Sequence, residues 1–370
     1  MSPRRPRPTL KDLATRLGIS ETAASFALNG RPGVSEQTRE RVLALAEELQ
    51  FAPNHAARTL SGITSMTVGF VLTRDVQEFG MESFYLRLLT GAQSVLSSRG
   101  YGLLFQMTRS VDDELAVLRR WNRERRVEGV IISDLRRGDP RPAFLRDLGL
   151  PAVLAGGPDP KRLLPAVTVD DGAAMRLLVE HLQETGCRRL AYVSGPAELL
   201  HVHRRIGAFR KAAAGVLASP GVVHTDYSES DGLEATRRLI ASADRPDALV
   251  FDNEVLAVAG VRALRTAGLL DEISVVSCED SAICVALQPS LTAVRRDPTV
   301  FGEAVARRLL QLVDGPDRSA PADGAERSAG SARSDRSDRS ARSDRSARSV
   351  KADIEAQQPT LVVRESSPQR

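Results

Sequence analysis

The chain of 370 residues is poor in aromatic side chains, which make up 4% of it and include a single Trp. It has three cysteines. Cys187, Cys278 and Cys284 show no metal-ligand spacing, and an odd, loosely spaced set builds no disulfide framework, so they read as plain thiols of a reducing compartment. There is no apolar run of transmembrane length. The N-terminus goes straight into charged, helix-patterned sequence, so neither a membrane span nor a secretory leader is expected, and the compartment is expected to be the cytoplasm. Catalytic signatures are missing too: no GxSxG elbow, no P-loop, no GxGxxG opening a helix. His55, His181, His201, His203 and His224 form no HExxH or similar ligand pair, and His201-x-His203 alternates like a strand in what reads as an exposed loop. No enzyme activity, metal or cofactor is therefore expected.

What is present begins with charge. The formal net charge is +4 and the pI near 9.2, yet residues 1–62 alone hold nine Lys/Arg against six Asp/Glu, and residues 317–349 hold eight against six. The rest is a near-neutral globular surface. Arg4, Arg5, Arg7 and Lys11 precede any acid, which suits either phosphate contacts or a solvated N-terminus.

The most informative stretch is TLKDLATRLGISETAASFALNG, Thr9–Gly30. Thr9 is a good N-cap, and Leu10, Leu13, Ala14 and Leu17 recur at helical spacing. Gly18 stops that helix and Ser20 caps a second, on which Ala23, Ala24 and Ala27 are small enough to let it lie close on the first. Two short helices about a glycine turn make a helix-turn-helix, whose second helix enters a DNA major groove. A third helix follows Ser35, with Val42, Leu45, Ala46 and Leu49 as its inner stripe.

From Thr64 onward, short apolar runs alternate with amphipathic helices, first to about Asp171 and again from Ala173 to about 315. Such β-α alternation with continuous apolar strands argues two doubly wound parallel sheets with helices on both faces. Two lobes in tandem make a cleft beyond their strand ends, where ligands bind. Residues 316–350 are a near-repeat of Arg, Ser, Asp and Ala that cannot bury enough apolar surface to order itself. The pattern resumes with Gln357–Ser367.

Taken together, Thr9-Leu10-x-Asp12-Leu13-Ala14, Gly18-Ile19-Ser20, Leu28-Asn29-Gly30, Val34-Ser35-x-x-Thr38-Arg39 and Pro53-Asn54-x-x-Ala57-Arg58-x-Leu60 resemble the headpiece and hinge of the lactose-repressor (LacI/GalR) family. The resemblance implies an all-α helix-turn-helix headpiece over 1–53, a hinge helix or linker over 54–63, and a periplasmic-binding-protein-like α/β core over 64–315 plus 351–367, interrupted by the 316–350 insertion. It implies a homodimeric transcription regulator, a repressor by expectation. Such a regulator binds double-stranded DNA at a pseudo-palindromic operator and is controlled by a small polar molecule such as a sugar.

Residue by residue, the resemblance points to Thr22, Ala23, Phe26, Ala57 and Leu60 at the bases and to Thr9, Asn29, Ser35, Thr38 and Asn54 at phosphates. The family very often has an arginine where this chain has Phe26, and phenylalanine cannot read guanine by two hydrogen bonds. In the cleft the implied residues are Arg205, Asn253, Glu254, Glu279, Phe84 and Tyr85, with Arg109 and Asp170 as weaker candidates. Asn253-Glu254 stands where the family has Asn-Asp, and Glu279-Asp280 follows Cys278 where the family has Asp-Asp after an aromatic. Ser83 replaces the proline usual before the aromatic pair. A ligand-sensing module without sequence-specific DNA recognition, and an α/β enzyme fused to a DNA-binding domain, are the alternatives at this point.

Overall fold

The computed structural model describes residues 8–28, 31–49, 51, 64–74, 83–214, 221–314 and 353–368. The hinge, with Asn54, Ala57 and Leu60, lies outside them, as do Asn29, the arginines before Thr9 and the Arg/Ser/Asp-rich insertion. The chain divides into two units, Met1–Ser65 and Met66–Arg370.

The first unit holds α1 (Leu10–Leu17), α2 (Glu21–Leu28) and α3 (Glu36–Glu48). Thr9 caps α1 in a capping box, its hydroxyl accepting from the Asp12 amide while Asp12 accepts from the Thr9 amide at 2.8 Å. Gly18 ends the helix at φ +67, left-handed backbone that costs a glycine little. Ser20 accepts from the Ala23 amide and Ser35 from the Thr38 amide, so both expected caps form. Leu13, Ala27, Val42 and Ala46 are the buried centre of the unit, one or two from each helix.

The second unit has two lobes of one topology. In the first, β1 (Thr67–Thr73), β2 (Gly102–Thr108), β3 (Gly129–Ile132), β4 (Ala152–Ala155), β5 (Ala166–Thr168) and β11 (Ile354–Glu355) form a sheet ordered β11-β5-β4-β3-β1-β2, all parallel. In the second, β6 (Leu190–Ser194), β7 (Gly221–His224), β8 (Ala248–Phe251), β9 (Ser274–Ser277), β10 (Thr292–Arg295) and β12 (Thr360–Val362) are ordered β12-β10-β9-β8-β6-β7. Only β12 runs antiparallel, against β10.

Side chains of β1 alternate between the two faces of its sheet, as the period of two demands. Val68, Phe70 and Leu72 pack under α4 (Ser83–Ser98) and α12 (Pro298–Asp314), while Val71 packs under α5 (Val111–Arg123) and α6 (Arg141–Leu148) with Trp121 and Leu145. Gly91 and Gly302 let α4 and α12 cross closely: a Cβ on Gly91 would stand 1.9 Å from the Thr299 carbonyl oxygen. The second lobe is built likewise with α7 (Asp171–Glu184), α8 (Leu200–Ala213), α9 (Glu229–Ile240), α10 (Glu254–Ala267) and the short α11 (Ala282–Ala286). The chain passes between lobes after β5, after β10 and between β11 and β12, at Asp171, Arg296-Asp297 and Gln357.

Candidate DNA-reading face and ligand cleft

On the first unit, Thr22 is exposed on the first turn of α2 and Ala23 is half-buried beside it. Thr9 and Ser35 are exposed at helix starts, and Thr38 shares its hydroxyl with Ser35 at 2.8 Å. Both hydroxyls are therefore already engaged as caps, with oxygen lone pairs left over. Phe26 is half-buried and has internal partners. Its ring lies 3.5 Å from the position of a Cβ on Gly33, and the Arg31 guanidinium sits 6.0 Å from its centroid. Packing of the turn between α2 and α3 thus accounts for the phenylalanine without any base.

The cleft lies between the lobes of the second unit and encloses about 1090 Å³ including its open mouth. It is built from strand ends of both sheets, where the strand order reverses: Arg74 follows β1, Asp134 follows β3, and Asn253 follows β8 after the fully buried Asp252. Arg205, on α8, is 8% exposed and forms its floor. Its guanidinium donates to Asp171 Oδ1 at 3.0 Å and Asp252 Oδ1 at 2.8 Å, and lies 3.7 Å from Glu279. Burial alone would lower its pKa, but these carboxylates raise it well above the usual arginine value.

Asp171 is a hub. Besides Arg205 it receives Arg204 Nε at 3.3 Å and Arg296 at 3.3 Å, so one carboxylate ties α8 to two of the inter-lobe crossings. Gln357, at the third crossing, donates to the Asp297 carbonyl at 2.8 Å. Burial works to raise the pKa of Asp171; Arg205, Arg296 and Arg204 overcome it and hold the group below the carboxylate range. Asp252 is lowered in the same way, against its burial, by Arg205 and His201 and by the Tyr192 and Tyr227 hydroxyls that donate to it.

Toward the second sheet's far side, His201 Nε2 meets the Tyr227 hydroxyl at 3.0 Å and Nδ1 lies 3.9 Å from Asp134. Burial pushes the His201 pKa down to about 4. Burial would raise Asp134, but Arg74 at 2.8 Å and His201 hold it at about 2. The Arg74 guanidinium also stacks 4.8 Å above the Tyr227 ring, joining the lobes.

Of the residues implied by resemblance, Arg205, Asn253, Glu254, Glu279, Phe84 and Tyr85 all line the cleft. Asn253 also caps α10, accepting from the Leu256 amide at 3.0 Å. Two do not line it. Arg109 is exposed just beyond β2, the edge strand, which carries it away from the centre of the sheet. Asp170 spends its carboxylate capping α7 on the Ala173 amide at 2.7 Å, and its neighbour Asp171 is the one that faces inward. The reading of His201-x-His203 as an exposed loop pair is also corrected. Both lie on α8, where a spacing of two puts His203 outside and His201 into the cleft.

Sequence reasoning missed Asp134, Asp252 and Arg296, although each stands at a strand end beside the cleft. Cys187, Cys278 and Cys284 are all buried, and burial pushes the Cys278 thiol up to about 12. Among the described residues no group of three or more His, Cys, Asp or Glu could hold a metal ion, and no helix is long and apolar enough to cross a membrane.

Comparison with known proteins agrees with this geometry. Residues 9–54 match the family described as bacterial regulatory proteins, lacI family, and residues 179–324 match the periplasmic binding protein-like domain. The chain is 32% identical to the HTH-type transcriptional regulator CelR of Thermobifida fusca over 320 residues, 84% of this chain and 94% of that protein. A solved CelR–cellobiose complex superposes with a TM-score of 0.68 at 27% identity, covering 97% of this chain and all 100% of the other. The Lac repressor dimer bound to operator and an anti-inducer superposes with a TM-score of 0.76 over 98% of this chain and 100% of its own; at 23% identity it shares the fold.

Proposed function

The chain belongs to the lacI family of bacterial regulatory proteins, and from that premise we propose that it is a cytoplasmic, homodimeric repressor released from or held on its operator by a neutral sugar. One observation carries the reading: charged side chains stand among the apolar walls of the second unit's cleft, and its arginines are already matched. Arg205, Arg204 and Arg296 hold Asp171, Arg74 holds Asp134, and Arg87 holds Asp297. An anionic ligand would have to displace a carboxylate from one of them. A polyhydroxyl ligand needs no such exchange, because hydroxyls donate to carboxylates and accept from guanidinium groups. Phe84 and Tyr85 supply an apolar wall on which a sugar ring can lie. Cellobiose, the ligand of the related CelR complex, is the first candidate.

At the DNA, Thr22 and Ala23 read base edges in the major groove, and Thr9, Ser35 and Thr38 fix register on phosphates. Asn29, Asn54, Ala57 and Leu60 are assigned by resemblance alone: Asn29 and Asn54 to phosphates, Ala57 and Leu60 to the minor groove, where an inserted leucine kinks the duplex. Phe26 packs the turn behind the reading helix, so the half-site is expected to lack a guanine read from that position. Selection of random DNA on the full-length protein at near-physiological salt, with and without cellobiose, tests this. Recovery of one palindromic motif whose yield changes with cellobiose supports it. A folded protein that binds cellobiose and recovers no motif is a sensor without sequence-specific DNA recognition.

A further inference from the structure

Ser83 and Glu254 belong to different lobes and touch across the cleft. Ser83 opens α4 and Glu254 opens α10. Glu254 Oε1 accepts from the Ser83 amide at 3.3 Å and from the Ser83 hydroxyl at 2.8 Å. The glutamate is 1% exposed, lines the cleft, and its Oε2 has no hydrogen-bond partner among the described residues. A buried carboxylate oxygen without a donor is costly, and the cost disappears when a donor arrives. The N-terminal ends of α4 and α10, one from each lobe, favour negative charge between them.

Both residues are departures from the family's pattern. A proline at Ser83 would have neither the N–H nor the hydroxyl that makes this contact. An aspartate at Glu254 would fall one methylene short. The contact as it stands needs both the serine at 83 and the glutamate at 254.

The geometry points to a divided carboxylate: Oε1 of Glu254 joins the lobes through Ser83, and Oε2 receives a hydroxyl of the ligand. Ser83 is then a positioning residue that never touches the ligand. It fixes the carboxylate so that the idle oxygen faces the cleft, and ligand affinity becomes tied to the approach of the lobes. This inference rests on the cleft being the ligand site.

The test uses full-length protein with Ser83→Ala and Ser83→Thr, read in two ways. The first is inter-lobe distance by electron paramagnetic resonance, without sugar. Spin labels go on Asp112→Cys in the first lobe and Arg238→Cys in the second, both exposed, with labelled chain diluted in excess unlabelled chain. The three native thiols are buried, so labelling is selective. The second is cellobiose affinity by calorimetry. Ser83→Ala is expected to lengthen and broaden the distance distribution and to weaken cellobiose about tenfold, the scale of one hydrogen bond to a charged group. Ser83→Thr is expected to restore both. An unchanged distance distribution in Ser83→Ala overturns the inter-lobe contact, whatever cellobiose does. A shifted distribution with unchanged cellobiose affinity overturns the coupling to ligand. If cellobiose fails to bind the unmutated protein, the choice of ligand is overturned while the distance measurement still decides the contact.

Discussion

The two units of this protein keep their chemistry on opposite sides of their surfaces. In Met1–Ser65 the candidate DNA-contacting groups among the described residues lie outward on three short helices, over a small buried centre of Leu13, Ala14, Ala24, Ala27, Val42 and Ala46. In Met66–Arg370 they point inward, into a cleft where arginines and carboxylates neutralise one another. The first unit depends on what a few apolar residues hold up. The second depends on charges that cannot be removed singly. That difference sets where each unit breaks.

Removing the hub should have the largest effect. Asp171→Asn leaves Arg204, Arg205 and Arg296 without the carboxylate they share. Breaking one side of a buried ion pair costs on the order of 3–5 kcal/mol. The core's melting transition in scanning calorimetry should drop sharply and cellobiose binding should vanish, with the α-helical unit still able to bind DNA fragments non-specifically. An unaltered core transition would mean that the cluster is decorative.

The complementary break is Leu13→Ala. Leu→Ala in a core costs roughly 2–5 kcal/mol, a large share of what so small a unit holds. Operator binding in a gel-shift assay should be lost while cellobiose affinity stays. Loss of both would show that the units do not fold independently.

The next effect is a pH slope to which the cleft contributes through His201. His201 is held near 4 against a reference of 6.5. Between those values the unfolded chain takes up a proton that the folded chain refuses, so stability rises with pH. The contribution is fully present above about 6.5 and is lost as pH falls toward 4. Asp134, held near 2, adds a second loss only below its reference of 3.8. Denaturant melts of His201→Gln should show a flatter slope between pH 4 and 6.5 than the unmutated protein; an equal slope would remove His201 from the account.

The smallest expected effect is none. Arg109→Ala, at the exposed end of the edge strand, should leave cellobiose affinity within about 0.5 kcal/mol of the original, as surface substitutions do. A larger loss would put Arg109 back in the site.

The same contrast explains what could be read from sequence. The first unit is local. Its caps Thr9, Ser20 and Ser35 and its exposed Thr22 lie within one stretch whose helical spacing is set by the chain itself, and the structure places each as expected. The two lobes were legible from strand-helix alternation for the same reason. The cleft is not local. Its members come from the ends of separate strands, brought together only by the sheet order. Asp170 and Asp171 show the limit: adjacent acids at one strand end look alike in sequence, and only the direction of the first turn of α7 decides which caps and which faces the cleft. His201 was misjudged because a spacing of two reads as a strand when the helix around it is not yet known.

The central claim is that the two units are linked through one chain. The most direct test is to titrate cellobiose by calorimetry into the full-length protein, alone and saturated with its selected operator at fixed salt. The account predicts two different affinities, whose ratio equals the factor by which cellobiose changes operator affinity, since coupling between two sites is reciprocal. Equal affinities with and without operator would contradict it.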